Sequence, residues 1–162
     1  MELFKLYLIA NRFLGDVEII NIDKISLGNI NRTYLVEYFN NEKVPKKIIL
    51  QSINNIFDSI ELLNVNHKSV TDYMELWLSN QSISNDHRRW EVPSLISCDS
   101  NGLFDFSFEG NSWRAMKYIE SSFSISSVID VKYAYEVGYG LAKFHYIFSR
   151  YDSSNLKITV DN

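Results

Sequence analysis

The segment SLGNINRTYLVE, residues 26–37, is the stretch that decides the fold of this chain. Its pattern is the end of one strand, a polar turn and a second strand, because small and polar residues separate two runs of apolar and β-branched side chains. A third strand, residues 46–53, follows the polar turn NNEK at residues 40–43. We therefore predict strands over residues 17–27, 32–39 and 46–53, joined as an antiparallel meander.

Apolar residues at spacings of three and four predict three helices, over residues 2–14, 59–79 and 128–150. Gly15 ends the first, and either Asp58 or Ser59 can cap the amides that begin the second. The third helix carries the most regular apolar stripe, formed by Ala134, Val137, Leu141, Phe144 and Phe148.

Between the second and third helices the pattern returns to strands. Residues 93–98 and 103–108 are predicted to pair through a turn at residues 99–102, and a turn at residues 109–111 leads to a strand over 113–119. A Ser-rich link follows at residues 121–127. The predicted fold is α+β, with an antiparallel sheet of about five strands and one packed helix, plus an N-terminal helix and the helix at 128–150.

Composition excludes several classes of protein. A chain of 162 residues with 46% apolar residues is long enough and apolar enough for a folded core. The net charge of −4 argues against nucleic acid as a partner, and we interpret Arg88 and Arg89 as a solvated surface turn. No segment is predicted to cross a membrane, and the single Cys98 and scattered histidines predict no metal site and an inert thiol. We expect a cytoplasmic protein.

The turn at residues 28–33 has the residue types of a phosphate-binding turn. Gly28 lacks a Cβ and so allows backbone amides to approach an anion, while Asn29, Asn31 and Thr33 add short hydrogen-bonding side chains. Taken alone, a glycine between two strands is more typical of an ordinary hairpin turn. Gln51, on the third strand, offers a dipole but no charge.

Together these segments resemble the aminoglycoside phosphotransferase superfamily, in particular its branch of bacterial sugar kinases typified by N-acetylhexosamine 1-kinase. The matching motifs run in the family's order through the chain. They are GNINRTY at 28–34, LQSIN at 50–54, Phe57, Val70 and Thr71, Trp113 and Arg114, Tyr118 to Glu120, and Ala134, Glu136, Gly138, Lys143 and Phe144.

The resemblance implies the N-terminal lobe of a protein-kinase-like fold that binds ATP with Mg²⁺. Residues 1–120 correspond to that lobe and its hinge, and residues 121–162 to the link and the start of a C-terminal lobe. Gly28, Asn29, Asn31 and Thr33 then line the phosphates, Gln51 lies beneath them, and Tyr118 and Ile119 follow the adenine. The family's His-Gly-Asp loop and later metal-binding Asp have no counterpart here, so no catalytic or metal-binding residue is assigned.

Three interpretations remain open at this point. The first is the nucleotide-binding lobe of a sugar-kinase-like transferase, truncated or completed by a separate C-lobe chain, and inactive alone. The second is a non-catalytic interaction module that binds a partner through exposed Tyr and Phe side chains. Gln51 and Ser52 favour it, because the branch usually has Arg or Lys at position 52. The exposed apolar helix at 128–150 could contact a separate C-lobe chain or a second copy of this chain. The third is a degenerate fragment.

Overall fold

The computed structural model describes residues 2–25, 30–57, 59–80, 88–98 and 102–157, which form an α+β fold with an open antiparallel sheet. Its elements are α1 (Glu2–Leu14), β1 (Glu18–Ile25), β2 (Arg32–Phe39), β3 (Pro45–Ile53), α2 (Ile60–Ser79), β4 (Leu95–Ile96), β5 (Phe106–Phe108), β6 (Asn111–Lys117), α3 (Val131–Phe148) and a 3₁₀ turn (Ser153–Asn155). The predicted α+β class and antiparallel sheet are confirmed, with six strands in the described residues rather than about five.

The sheet is a meander extended by strands from the second half of the chain. Its order is β1-β2-β3-β6-β4, and β5 also pairs with β6. The predicted turn at residues 40–43 is confirmed: the Asn40 side chain accepts from the amides of Glu42 and Val44 at 3.1 and 2.8 Å, and Lys43 has a φ of 58°. Such side-chain to backbone bonds favour Asn at the start of a turn.

The predicted pairing of residues 93–98 with 103–108 is wrong. Only Leu95–Ile96 and Phe106–Phe108 are strands, and both pair with β6. The longer β6 offers its free edge to both segments, so pairing across that edge replaces a direct hairpin between them. A backbone hydrogen bond from Cys98 N to Leu103 O, of 2.7 Å, joins the two segments. Residues 99–101 of the predicted turn lie outside the described residues.

The turn between β5 and β6 agrees with its prediction. Glu109 and Gly110 have φ angles of 49° and 76°, which is the backbone of a two-residue type I′ hairpin turn. The same turn is held to the first helix by a salt bridge of 2.5 Å between Lys5 and Glu109.

The hydrophobic core lies between α1 and one face of the sheet. From the helix, four side chains on one stripe are buried, which is why the three-four spacing specifies this helix. They pack on the alternate side chains of β2, β3 and β6 that share one face. The helix contributes Leu6, Ile9, Ala10 and Phe13, and the sheet Tyr34, Val36, Ile48, Leu50, Trp113 and Ala115. At the helix end Gly15 has a φ of 77°, and its amide donates to the Asn11 carbonyl at 2.9 Å.

Helix α2 lies on the opposite face of the sheet. It begins as predicted at Ser59, whose Oγ accepts from the Leu62 amide at 3.2 Å; Asp58, the other candidate cap, lies outside the described residues. Its most buried residues are Asn64 and Thr71, both polar. Helix α2 therefore contributes buried polar residues to its contact with the sheet.

Helix α3 begins after Asp130, whose Oδ1 accepts from the Tyr133 amide at 3.0 Å. It is three residues shorter at its start than predicted, since the cap fixes the first turn there. Ile147 is its one fully buried residue among those described, while Val137, Leu141 and Phe144 expose 44–56% of their surface. The predicted apolar stripe thus faces outward along most of its length. Arg88 and Arg89 are exposed, yet Arg88 also pairs with Glu136 of this helix at 3.0 Å.

Candidate functional site

Three side chains that lie opposite one another on β2, β3 and β6 form a hydrogen-bonded row on the α2 face of the sheet. We call Thr33, Gln51 and Arg114 the polar row; the strand register pairs Thr33 with Gln51 and Gln51 with Arg114. Gln51 Nε2 donates to Thr33 Oγ1 at 3.2 Å, and its Oε1 accepts from Arg114 Nε and Nη2 at 3.0 and 2.8 Å. The guanidinium fork thereby fixes which end of the Gln51 amide faces Thr33.

Arg114 is a buried cation without a carboxylate partner in the part of the chain that the structure describes. It is only 9% exposed, and its remaining polar contact is Nη1 to Asn64 Oδ1 of α2 at 3.4 Å. Burial lowers the pKa of Arg114 to about 10, which leaves the guanidinium charged at neutral pH. The polar row therefore carries a positive charge that a carboxylate has not neutralised.

Asn64 faces the same guanidinium and is itself incompletely satisfied. It is 3% exposed, and its Nδ2 has no acceptor among the described residues. An unpaired buried amide donor beside an unpaired cation is unusual, because buried polar groups normally find partners. Both groups favour the approach of an electron-rich atom.

Two asparagines, Asn31 and Asn54, lie beside the polar row at the end of the β1–β2 connection. Asn31 Oδ1 accepts from the Asn54 amide at 2.9 Å, and Asn54 Nδ2 donates to the Ile30 carbonyl at 3.1 Å. Asn31 thus ties the base of this connection to the end of β3. Gly28 and Asn29, the two other residues predicted to bind phosphate here, lie outside the described residues.

Tyr118 and Ile119 lie directly after β6 and line a separate pocket of about 310 Å³. Val92, Trp90 and the C-terminal turn of α2 complete its walls. By the rise of a strand, Tyr118 lies about 13 Å along β6 from Arg114. The structure thus brings Thr33 and Gln51 together, and Asn31 lies near the adjacent end of the sheet. Tyr118 and Ile119 lie apart from them, farther along the direction of β6.

Lys47 of β3 lies beside Tyr118, four residues along the strand from Gln51. Its Nζ is 5.7 Å from the centre of the Tyr118 ring and 2.9 Å from Glu37 Oε1. The hydrogen bond to Glu37, followed by the charge of that carboxylate, raises the pKa of Lys47. The charge of Lys47 is therefore balanced locally, in contrast to that of Arg114.

Comparison with known proteins adds no family to these observations. No protein-family model matches the sequence, and no curated protein has a matching sequence. The interpretation of the site therefore depends on its own geometry.

Two features are absent from the residues that the structure describes. No three His, Cys, Asp or Glu side chains there come together as a metal-binding group. Among the same residues no helix combines the length and apolar character needed to cross a membrane.

The sequence-based site lacked two residues that the structure brings into it. In the sequence, Arg114 belongs to a motif with Trp113 but not to the predicted site, and Asn64 belongs to neither. The pairing of Gln51 with Arg114 joins positions 63 residues apart, so no local pattern indicates it. A single Arg within the apolar strand WRAM, residues 113–116, was the available signal, because an isolated charge in a buried strand needs a partner.

Proposed function

We propose that this polypeptide is the nucleotide-binding lobe of a small-molecule phosphotransferase of the sugar-kinase type. The observation that carries the proposal is the orientation of Gln51 by Arg114. With Oε1 occupied by the guanidinium and one N–H used by Thr33, the Gln51 amide keeps a second N–H donor on a half-exposed part of the sheet. A phosphate oxygen is a suitable acceptor, and the nearby charge of Arg114 strengthens that bond.

In this proposal the nucleotide lies along the α2 face of β2, β3 and β6. Its phosphates approach Thr33 and Gln51, and its adenine packs in the pocket of Tyr118 and Ile119. Mg²⁺ would accompany the ATP phosphates and neutralise their charge. The polar row contains no carboxylate, so the metal ligands do not come from it.

Phosphoryl transfer needs an acidic residue to position the acceptor hydroxyl and another to hold Mg²⁺. The 162 residues contain no His-Gly-Asp sequence after the third strand. We therefore expect the purified polypeptide to bind ATP without transferring its γ-phosphate. ADP release above background with N-acetylhexosamines or aminoglycosides would overturn this part of the proposal.

The substitution Gln51→Glu tests the proposed phosphate contact. The isosteric carboxylate can accept from Arg114 as Gln51 does, so the fold is retained, but its negative charge repels phosphate. Millimolar Mg-ATP should raise the melting temperature of the unmodified protein and leave that of Gln51→Glu unchanged, because only ligand bound to the native state stabilises it. Adenosine should stabilise both proteins equally through the Tyr118 pocket.

Asn21→Asp provides the control for charge, since it makes the same change of charge at an exposed position on β1. It also replaces the hydrogen bond of 2.8 Å from Asn21 to Asp23 with two like charges, so the control is the change in melting temperature on adding Mg-ATP and not the melting temperature itself. It should respond to Mg-ATP as the unmodified protein does. An unmodified protein that unfolds cooperatively and ignores both ATP and adenosine would reject nucleotide binding. An equal response of Gln51→Glu to ATP would reject the role of the polar row.

The exposed face of α3 favours a second function, that of a protein-interaction module. Val131, Tyr135 and Leu141 expose 85, 62 and 56% of their surface, and Val128 and Ile129 just before the helix are also exposed. Contiguous exposed apolar surface is typical of an interface with another protein chain. If α3 joins two copies or binds a separate C-lobe chain, Leu141→Glu should lower the mass of the purified assembly in light scattering. A monomer in both proteins would argue against self-association.

A further inference from the structure

A second cavity, distinct from the Tyr118 pocket, lies between α2 and α3. We call it the α2–α3 pocket; its volume is about 450 Å³. Apolar walls come from Leu63, Val70 and Met74 of α2 and from Phe144 of α3, while Arg114 and His67 are its principal polar groups. A volume of this size and an apolar lining with few polar groups are typical of small-molecule sites.

Most polar groups around the α2–α3 pocket already have partners. His67 Nε2 is 2.8 Å from the Pro93 carbonyl, and Asn66 exchanges two hydrogen bonds of 2.8 and 2.9 Å with the backbone of Lys157. Thr71 Oγ1 donates within its own helix, to carbonyls at 3.0 and 3.2 Å. These groups are used within the fold and offer no obvious site for a ligand head group.

Arg114 differs from these groups because its hydrogen-bonding capacity is not used up. A guanidinium has five N–H donors. Two of those on Arg114 reach Gln51 and one reaches Asn64, which leaves two without an acceptor in the described residues. A buried charge in this condition is costly, and an anion that reached it would remove much of that cost.

We propose that the α2–α3 pocket binds a small monocarboxylate with an apolar chain or ring. The carboxylate accepts from the free N–H groups of Arg114, and the apolar part packs between Leu63, Val70, Met74 and Phe144. One buried cation balances one negative charge, which favours a carboxylate over the doubly charged phosphate. The apolar walls offer little to the hydroxyl groups of a sugar. This inference does not depend on nucleotide binding: Arg114 also belongs to the polar row, but octanoate binding is measured without any nucleotide present.

Sodium octanoate is the probe that tests this proposal, and calorimetric titration of the full polypeptide is the measurement. We expect saturable binding at one site per chain. 1-Octanol, which has the same tail without the charge, should bind at least about tenfold more weakly, because a charge-assisted hydrogen bond contributes more than 1.4 kcal/mol. Propionate, with the same head group and a short tail, should also bind weakly. Equal affinity for octanoate and octanol would overturn the proposal.

Two substitutions locate the site. Met74→Trp fills the cavity without changing any charge and should abolish octanoate binding, while Leu76→Trp places the same ring at a position on α2 that is 62% exposed and should leave it unchanged. Arg114→Gln should reduce the affinity for octanoate to that for octanol. If Arg114→Gln does not fold, Met74→Trp still decides: unchanged octanoate binding in that variant would reject the α2–α3 pocket as the site.

Discussion

At the scale of single residues, the side chain of Arg114 links features that are otherwise separate. Its Nε and Nη2 orient the Gln51 amide, its Nη1 approaches Asn64 of α2, and part of its surface lines the α2–α3 pocket. Because a guanidinium is planar and holds its donors in a fixed fork, it can satisfy several acceptors in defined directions. A Lys at this position offers neither the fork nor the same reach, so the identity of the cation matters as much as its charge.

The cap of α2 gives a prediction at the same scale. Ser59 satisfies the amide of Leu62, one of the otherwise unpaired donors of the first turn. Ser59→Ala should lower the free energy of unfolding by about 1 kcal/mol, measured by urea denaturation. Ser107→Ala, at an exposed site on β5, is the control and should change it little. Equal loss in both variants would show that the cap bond is not the cause.

His67 predicts how stability depends on pH. Burial lowers the pKa of His67 below its ordinary value of 6.5; the hydrogen bond to the Pro93 carbonyl opposes this shift, and the nearby Arg114 charge adds to it. At a pH between the pKa of His67 in the folded protein and its pKa in the unfolded chain, the unfolded chain binds more protons than the folded one. The free energy of unfolding therefore decreases as the pH falls below about 6.5, whereas above that pH His67 does not reduce it.

His67→Gln keeps a side-chain N–H for the Pro93 carbonyl but cannot be protonated. The decrease in unfolding free energy between pH 7.5 and pH 5, two conditions chosen to bracket that range, should therefore be smaller in this variant than in the unmodified protein. Urea denaturation at both pH values measures it. Parallel decreases in the two proteins would assign the pH dependence to other groups.

At the scale of elements, the packing of α1 on the sheet should account for much of the stability. Ile9 is 1% exposed within the core, whereas its neighbour Leu8 is 44% exposed on the same helix. Ile9→Ala should reduce the unfolding free energy by about 2–5 kcal/mol, since it removes buried methyl groups and leaves a cavity. Leu8→Ala makes a similar truncation on the exposed face of the same helix and should cost far less. Similar losses in urea denaturation would mean that α1 is not firmly packed.

The elements that sequence patterns predicted well are those formed by nearby residues. The β1–β2–β3 meander, α1 and α2 all depend on short turns, caps and local periodicity, and their bounds in the structure lie within one or two residues of the predicted ones wherever both are described. The pairing of residues 93–98 with 103–108 was wrong because competition for the edge of β6 is a property of the folded sheet. A sequence pattern identifies a strand more readily than its partner.

The same distinction applies to the candidate site. The neighbourhood of Thr33 and Gln51 follows from the register of one hairpin, so it could be predicted. The contacts of Arg114 with Gln51 and of Arg88 with Glu136 join residues 63 and 48 positions apart, and no local periodicity encodes them. The two arginines at 88 and 89, predicted as a solvated turn, are exposed but also bridge to α3 and to the Glu120 carbonyl.

At the scale of the whole molecule, the sheet separates two different environments. On the α1 face, apolar side chains form a continuous core. On the α2 face, buried polar residues from the strands and from α2 meet, and this face borders the α2–α3 pocket. The apolar core on the α1 face stabilises the fold, and this stability offsets the cost of burying polar groups on the α2 face.

Because Arg114 takes part in both proposed sites, binding at one should affect the other. A carboxylate in the α2–α3 pocket neutralises the charge that strengthens the Gln51 donor, so it should weaken phosphate binding at the polar row. Linkage requires the reverse effect to be equal in size. We expect saturating octanoate to raise the dissociation constant for Mg-ATP by at least about fivefold, and saturating Mg-ATP to raise that for octanoate by the same factor.

Calorimetric titration of each ligand in the presence of the other measures this coupling, and two comparisons make it specific to Arg114. Adenosine affinity should not respond to octanoate, since adenosine carries no phosphate. In Met74→Trp, where octanoate has no pocket, the ATP affinity should not respond either. If both ligands bind yet neither alters the affinity of the other, the charge of Arg114 does not couple the two binding sites. The orientation of Gln51 would then be sufficient for the phosphate contact without the field of the guanidinium.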